Sequence, residues 1–449
     1  APKQVLLGHH FSSIAGAGPI VGPIIATAAF GWLPTLLWII LGSIFIGGVH
    51  DYTALVASIR HKARSIAEIA REQMSPLAYK LFLAFIWLTL VYVLTVFTDL
   101  TATTFVEDGG VATSSLIFML LAMGFGLSLY RLKLSLLASS LIFVPLVLLA
   151  TWIGHIIPID AAGVASFSDL SAGRFWSIAL ILYAFVASIT PVWILLQPRD
   201  YLSSYLLYFS VLGGFIGILF GGYTIDYPAF TAWHAPGLGA IFPILFITVA
   251  CGACSGFHAI VASGTSSKQI DKEGDARTIG YGAMLIEGVV AVIALATVAM
   301  LPRGAALASQ APMTVYGQGI GNFFAVVGIP HKLGASFGLL ALSTFILTTL
   351  DTATRLGRYI FEEFFGLRGA GSRFLSTAAT LLLPLLFVLI TLKDPQGNPI
   401  PVWKAIWPVF GATNQLLAGL TLLVILVWLR KTGKMSFYIA VPMFFMNIM

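Results

Sequence analysis

The chain repeatedly runs apolar for long enough to cross a bilayer, and this limits what it can fold into. A spanning helix needs about 20 mainly apolar residues, and only helices or closed barrels cross lipid with every backbone group satisfied. The runs here lack strict alternation, which selects helices over barrel strands. Spans are expected at 12–31, 33–58, 78–105, 114–130, 134–157, 175–197, 203–222, 240–263, 278–300, 335–360, 374–392, 405–429 and 436–449. The stretch 316–330 is too short to span and is expected to lie at the interface or to re-enter the membrane.

Composition agrees. Only 9% of the 449 residues are Asp, Glu, Lys or Arg, against about 25% in soluble domains. A soluble fold of this length has too little interior to hide a chain that is 58% hydrophobic. A cytosolic enzyme, a nucleic-acid binder and a secreted disulfide scaffold are thereby excluded.

The net charge of +6 gathers in every second connection: Arg60, Lys62, Arg64 and Arg71; Arg131 and Lys133; Lys268, Lys272 and Arg277; Arg368 and Arg373; Arg430, Lys431 and Lys434. The connections between hold few basic residues. This alternation places the basic loops, and the N-terminal residues with them, in the cytoplasm. With loops no longer than about 15–20 residues, 1–449 reads as a single transmembrane domain.

Two of the expected spans are interrupted. Residues 8–23, GHHFSSIAGAGPIVGP, hold two Pro and four Gly with His9, His10, Ser12 and Ser13. Residues 252–268, GACSGFHAIVASGTSSK, hold Cys254, Ser255, His258, Ser263 and Thr265 with three Gly. They lie seven spans apart, so they cross in opposite directions. Paired discontinuous helices of opposite orientation are the pattern of an inverted-repeat secondary transporter. The expected fold is therefore all-α and polytopic, with breaks near Gly16–Gly18 and Ser255–Gly256. Close packing of small residues, as at Gly18 and Gly22, is the plainer alternative for either segment alone.

Ionisable side chains at membrane depth are expensive, which marks them as functional candidates. Asp99, Glu287, Asp51 and Asp351 are the candidates for proton or ion coupling. Arg355 follows Asp351 by four residues on the same helical face, so an internal ion pair is expected there. His9, His10, His50 and His258 can titrate near neutral pH. Because His9 and His10 are adjacent they point to different sides, and no shared metal is expected. Cys251 and Cys254 form a single CxxC without a second pair, which reads as helix packing. Asn414 and Gln415 are expected to hydrogen-bond across the bundle. No P-loop, GxSxG, HExxH or dinucleotide fingerprint is present, so neither enzymatic activity nor a cofactor is expected.

GHHFSSIAGAGPIVGP, QPRDYLSSY (197–205), SGFHAIVASGTSSK, TTLDTATRLGRY and WPVFGATNQLLAG occur in that order between Gly8 and Arg430. Together they resemble the carbon starvation protein A family of bacterial inner-membrane transporters. The resemblance implies uptake of a small nutrient, with some members associated with peptides and others with pyruvate. It also implies kinship with the amino acid–polyamine–organocation superfamily. That superfamily suggests a five-plus-five repeat, whereas the spacing of the breaks fits seven-plus-seven; both stand if extra helices intervene.

The expected function is secondary active uptake of short peptides by alternating access, with H+ as coupling ion and Na+ as the other option. Pyruvate or another small carboxylate is the alternative substrate. The substrate site is expected at His9, His10, Ser12, Ser13, Gly16, Gly18, Cys254, Ser255, Gly256 and His258. Helix N-terminal amides at the breaks would receive a substrate carboxylate. Asp99 or Glu287 would take the proton or a peptide ammonium group.

Overall fold

The computed structural model describes residues 3–449 apart from 169, 192–193, 370 and 394–396, together with the backbone but not the side chains of 167 and 168. Helices α1 (Lys3–Ile14) and α2 (Gly18–Phe30) make a first span bent by 47° at its break. Helix α3 (Trp32–Gly42), a π-helical turn (Ser43–Gly47) and α4 (Gly48–Arg60) run on as one span. The short α5 (Ile66–Gln73) buries only Ile66, Ala67, Ile69 and Ala70. After it come α6 (Pro76–Glu107), α7 (Gly109–Tyr130), α8 (Leu136–Ile156), α9 (Ala161–Ser168), α10 (Ala172–Ile189) and α11 (Leu196–Phe220).

The second half opens with another broken span, α12 (Ile241–Thr248), α13 (Ala250–Ala253) and α14 (Gly256–Gly264). A π-helical turn (Arg277–Gly282) leads into α15 (Ala283–Ala299). Helices α16 (Pro312–Ala325), α17 (His331–Phe365), α18 (Ser372–Leu389), α19 (Val402–Lys431) and α20 (Phe437–Ile448) complete the chain. Two small antiparallel hairpins pair 234–235 with 239–240 and 392–393 with 399–400. Among the described residues ten helices are long and apolar enough to cross a membrane, and the bent α1–α2 pair makes eleven. The protein is a multi-pass membrane protein.

Local chemistry fixes many of these starts. Ser75 Oγ accepts from Ala78 N (3.1 Å) and Pro76 occupies the first position of α6, where its missing N–H costs nothing. Asp108 caps α7 through Gly110 N (2.8 Å), and Ser135 caps α8 through Ala138 N (3.2 Å). The basic loops collect at one end of the bundle. There Arg60 pairs with Glu273 (2.7 Å) and Lys431 reaches the Gln73 carbonyl (2.6 Å).

The order of parts repeats. A broken span, a span with a π turn and one very long helix occur as α1–α2, α3–α4 and α6 (32 residues), and again as α12–α14, α15 and α17 (35 residues). The expected pair of discontinuous helices is present, and the two breaks meet: α2 packs on α13 and α15, and α1 packs on α14. Gly18 stands directly against the Cys251 side chain, so any Cβ there would collide with it. Small residues are what let the two broken segments approach.

Candidate functional site

Both breaks fall where glycine and serine interrupt the apolar run. Helix α1 stops at Ile14, Gly16 N turns back to the Ile14 carbonyl (2.8 Å), and α2 restarts at Gly18 with Pro19 in its first turn. On the other side Cys254 and Ser255 are extended, at φ −164° and −127°, and α14 starts at Gly256.

The amide expected to be open at the second break is already taken. Phe257 N donates to Asn414 Oδ1 (2.9 Å), while Asn414 Nδ2 lies 3.0 Å from Ser255 Oγ and 3.2 Å from Cys251 Sγ. Asn414 therefore caps α14 as well as crossing the bundle. Gln415 is buried beside it, and its amide has no hydrogen-bond partner among the described residues. Gly256 lies so close to α19 that an added Cβ would come within 2.5 Å of the Asn414 carbonyl. Gly16 packs against Phe97 and Thr349, and Thr349 Oγ1 donates to the Ser13 carbonyl (3.3 Å). Ser13 Oγ donates to the His9 carbonyl (2.8 Å), and Cys254 is fully buried. In this conformation both breaks are packed shut.

Beside the second break lies a fully buried chain of ionisable groups. Asp51, on α4, takes His50 Nδ1 at 2.7 Å and His258 Nδ1, from α14, also at 2.7 Å. The other ring nitrogen of His258 faces Glu287 Oε2, on α15, at 3.2 Å. That contact has ion-pair distance without hydrogen-bond geometry, and neither Glu287 oxygen has a hydrogen-bond partner among the described residues. A neutral imidazole carries one N–H and an ionised carboxylate only accepts. His258 can therefore satisfy one of its two carboxylates unless a further proton is held on the ring or on a carboxyl. The arrangement has room for that proton between His258 and Glu287. His50 belongs to this cluster although sequence assigned it no role. Glu287 has no basic neighbour in sequence, and the fold brings His258 to it from α14.

A second buried cluster joins α11, α10 and α17. Arg199 bonds to the Asp351 carboxylate and the Tyr183 hydroxyl, and donates to the Leu347 carbonyl (3.2 Å). Tyr183 in turn donates to Asp351 (2.7 Å). Asp200 takes His9 Nδ1 (2.8 Å), and its carbonyl accepts from Ser12 Oγ (3.2 Å). The expected Asp351–Arg355 ion pair is replaced by Asp351–Arg199, because Arg355 turns away to the carbonyls of Ala187 (2.9 Å) and Thr190 (2.8 Å). His9 and His10 face different sides, as adjacency requires: His10 Nδ1 meets Ser266 Oγ (2.7 Å).

Asp99 joins neither cluster. Its Oδ2 accepts from Trp403 N (2.8 Å) in the first turn of α19, where a carboxylate meets the positive end of the helix dipole. A cavity of about 300 Å³ opens between α1, α5, α14 and α17, within the usual size of small-ligand sites. Its wall carries His9, Lys268, Gln269, Arg355 and Glu363, so both signs of charge face one space.

Arg199, Asp200, Tyr183 and Glu363 were not anticipated as site residues. Arg199 and Asp200 sit in the five residues read as a connection between spans, yet α11 starts at Leu196 and both side chains are fully buried. The one available signal was an adjacent Arg–Asp inside QPRDYLSSY. Among the described residues no group of three or more His, Cys, Asp or Glu has a metal-binding arrangement.

Three comparisons frame this geometry. The model of the family described as carbon starvation protein CstA matches residues 1–318 and 304–449. The peptide transporter CstA of Mycobacterium tuberculosis is 32% identical over 97% of this chain and 65% of its own length. That of Escherichia coli K12 is 31% identical over 97% of this chain and 70% of its own. The pyruvate/proton symporter BtsT of the same organism is 30% identical over 96% and 71%. This chain thus spans about two thirds of the length of its curated relatives. In fold, it is similar to a manganese transporter of Eremococcus coleocola, with a TM-score of 0.53 at 11% identity over 99% of this chain and 86% of that one.

Proposed function

For a chain that belongs to the carbon starvation protein CstA family, we propose secondary active uptake of short peptides by alternating access, coupled to protons. The observation that carries the peptide reading is the mixed charge of the cavity beside α1. A zwitterion presents a carboxylate, suited to Lys268 and Arg355, and an ammonium group, suited to Glu363. Pyruvate offers only the carboxylate, which Glu363 opposes. His9, on the cavity wall and on the first broken helix, would contact the entering substrate.

The remaining expected binding residues, His10, Ser12, Ser13, Gly16, Gly18, Cys254, Ser255 and Gly256, line the two breaks. They would meet substrate once the breaks part. His258 and Glu287 would carry the proton, with Asp51 holding the imidazole. Asp351 would act through Arg199 as part of the closure between α11 and α17. The curated relatives named for peptide transport and for pyruvate/proton symport support both the solute class and the coupling ion. Transport, rather than catalysis, is the reading for this chain. The positive-inside pattern supports an inner-membrane location with the basic loops and N-terminal residues cytoplasmic.

Counterflow in proteoliposomes tests the reading. A labelled dipeptide should accumulate transiently against unlabelled dipeptide inside, and pyruvate should not. Counterflow of pyruvate without any dipeptide exchange would overturn the peptide assignment.

A further inference from the structure

Arg355 and Arg358 are buried to 7% and 6% exposure, and neither pairs with a carboxylate among the described residues. Their donors go to the C-terminal end of α10: Arg355 to the carbonyls of Ala187 and Thr190, Arg358 Nη1 to that of Ser188 (2.8 Å). A helix C-terminus supplies roughly half a negative charge and Arg358 also stands over the Tyr359 ring at 4.5 Å, but neither guanidinium meets a full negative charge. Arg358 Nε has no hydrogen-bond partner among the described residues. Buried charges are ordinarily paired, so two buried guanidiniums without a carboxylate partner suit an anionic ligand.

The place for it is a cavity of about 410 Å³ where α10 and α17 end and α18 begins. Arg373 forms part of the wall with Thr190 and Ser372. Glu362 is also there, but its Oε1 is the acceptor for Ser372 Oγ (3.4 Å) and not for a guanidinium. This is the end of the bundle at which the basic loops collect. From the pocket, α10 and α18 run side by side and expose Leu182, Val186, Leu375 and Leu382 outward. A ligand that fits is charged at its head and apolar along its tail.

We propose that this pocket is a binding site for an anionic phospholipid. The phosphate sits among Arg355, Arg358 and Arg373, each suited to forked contact with phosphate oxygens, and the acyl chains lie along α10 and α18. Basic pockets between membrane helices take such headgroups. The pocket shares Arg355 with the cavity beside α1, whereas Arg358 and Arg373 line this pocket and not that cavity, so a test on those two residues does not depend on the transport reading.

Native mass spectrometry of the detergent-purified full chain, titrated with phosphatidylglycerol or phosphatidylethanolamine, tests the proposal. Phosphatidylglycerol should bind more tightly, and Arg358→Gln or Arg373→Gln should each weaken it about five-fold while leaving phosphatidylethanolamine unchanged. Arg373 is exposed and makes no ion pair among the described residues, so Arg373→Gln keeps the test valid should Arg358→Gln fail to fold. Equal binding of the two lipids, or affinity indifferent to Arg373→Gln, overturns the site. Displacement of phosphatidylglycerol by equimolar inorganic phosphate would make it a soluble-anion pocket and overturns the lipid assignment.

Discussion

His258 Nδ1 lies 2.7 Å from Asp51 Oδ2, although the two are 207 positions apart in the chain, and neither side chain is exposed to solvent. The contact ties the α14 half of the second broken span to α4 of the first repeat. Any motion that parts the repeats must break this pair or carry it along.

Removing one partner of that pair leaves the other buried without its hydrogen bond. Asp51→Asn is expected to cost about 1–3 kcal/mol, seen as a lower melting temperature in detergent. An unchanged melt would mean the pair does not hold the repeats together.

The Arg199–Asp351 pair predicts a non-additive cycle. Arg199→Met alone strands Asp351 and should destabilise by about 3–5 kcal/mol. Adding Asp351→Leu should recover part of that loss, because a buried ion pair replaced by apolar side chains of similar volume is often tolerated. Melting curves of the two single variants and the double variant measure the coupling.

Asn414 caps the start of α14 through Phe257 N. Asn414→Ala should cost about 1–2 kcal/mol as a lost helix cap, and faster amide exchange at Phe257 and His258 would locate the effect. Protection that stays at the native level would place the cap elsewhere.

Asp99→Asn should leave the pH dependence of uptake unchanged. The amide oxygen can still accept from Trp403 N, so the loss in stability should stay within about 1 kcal/mol. A shifted pH profile would return Asp99 to the coupling pathway.

Sequence reasoning reached most of the spans and the two breaks because both are local signals; the expected span 436–449 forms only the twelve-residue α20. Long apolar runs and a Gly–Ser–Pro cluster declare themselves within about twenty residues. It did not reach the pairings, which are tertiary. Nothing near Glu287 in the chain points to His258, and the helical spacing of Asp351 and Arg355 suggested a pair that Arg199 in fact takes. Nothing near Asp99 in the chain points to its partner either, the Trp403 amide at the start of α19. The closed state of the breaks was also illegible, since the residues that suit an open backbone equally suit close packing, as Gly18 against Cys251 shows.

The most direct test of proton coupling at the His258–Glu287 junction is dipeptide uptake into proteoliposomes driven by a pH gradient alone, comparing wild type with Glu287→Gln. The variant should lose gradient-driven accumulation and keep dipeptide counterflow. Accumulation by Glu287→Gln at the wild-type rate, with the same pH dependence, would contradict the account.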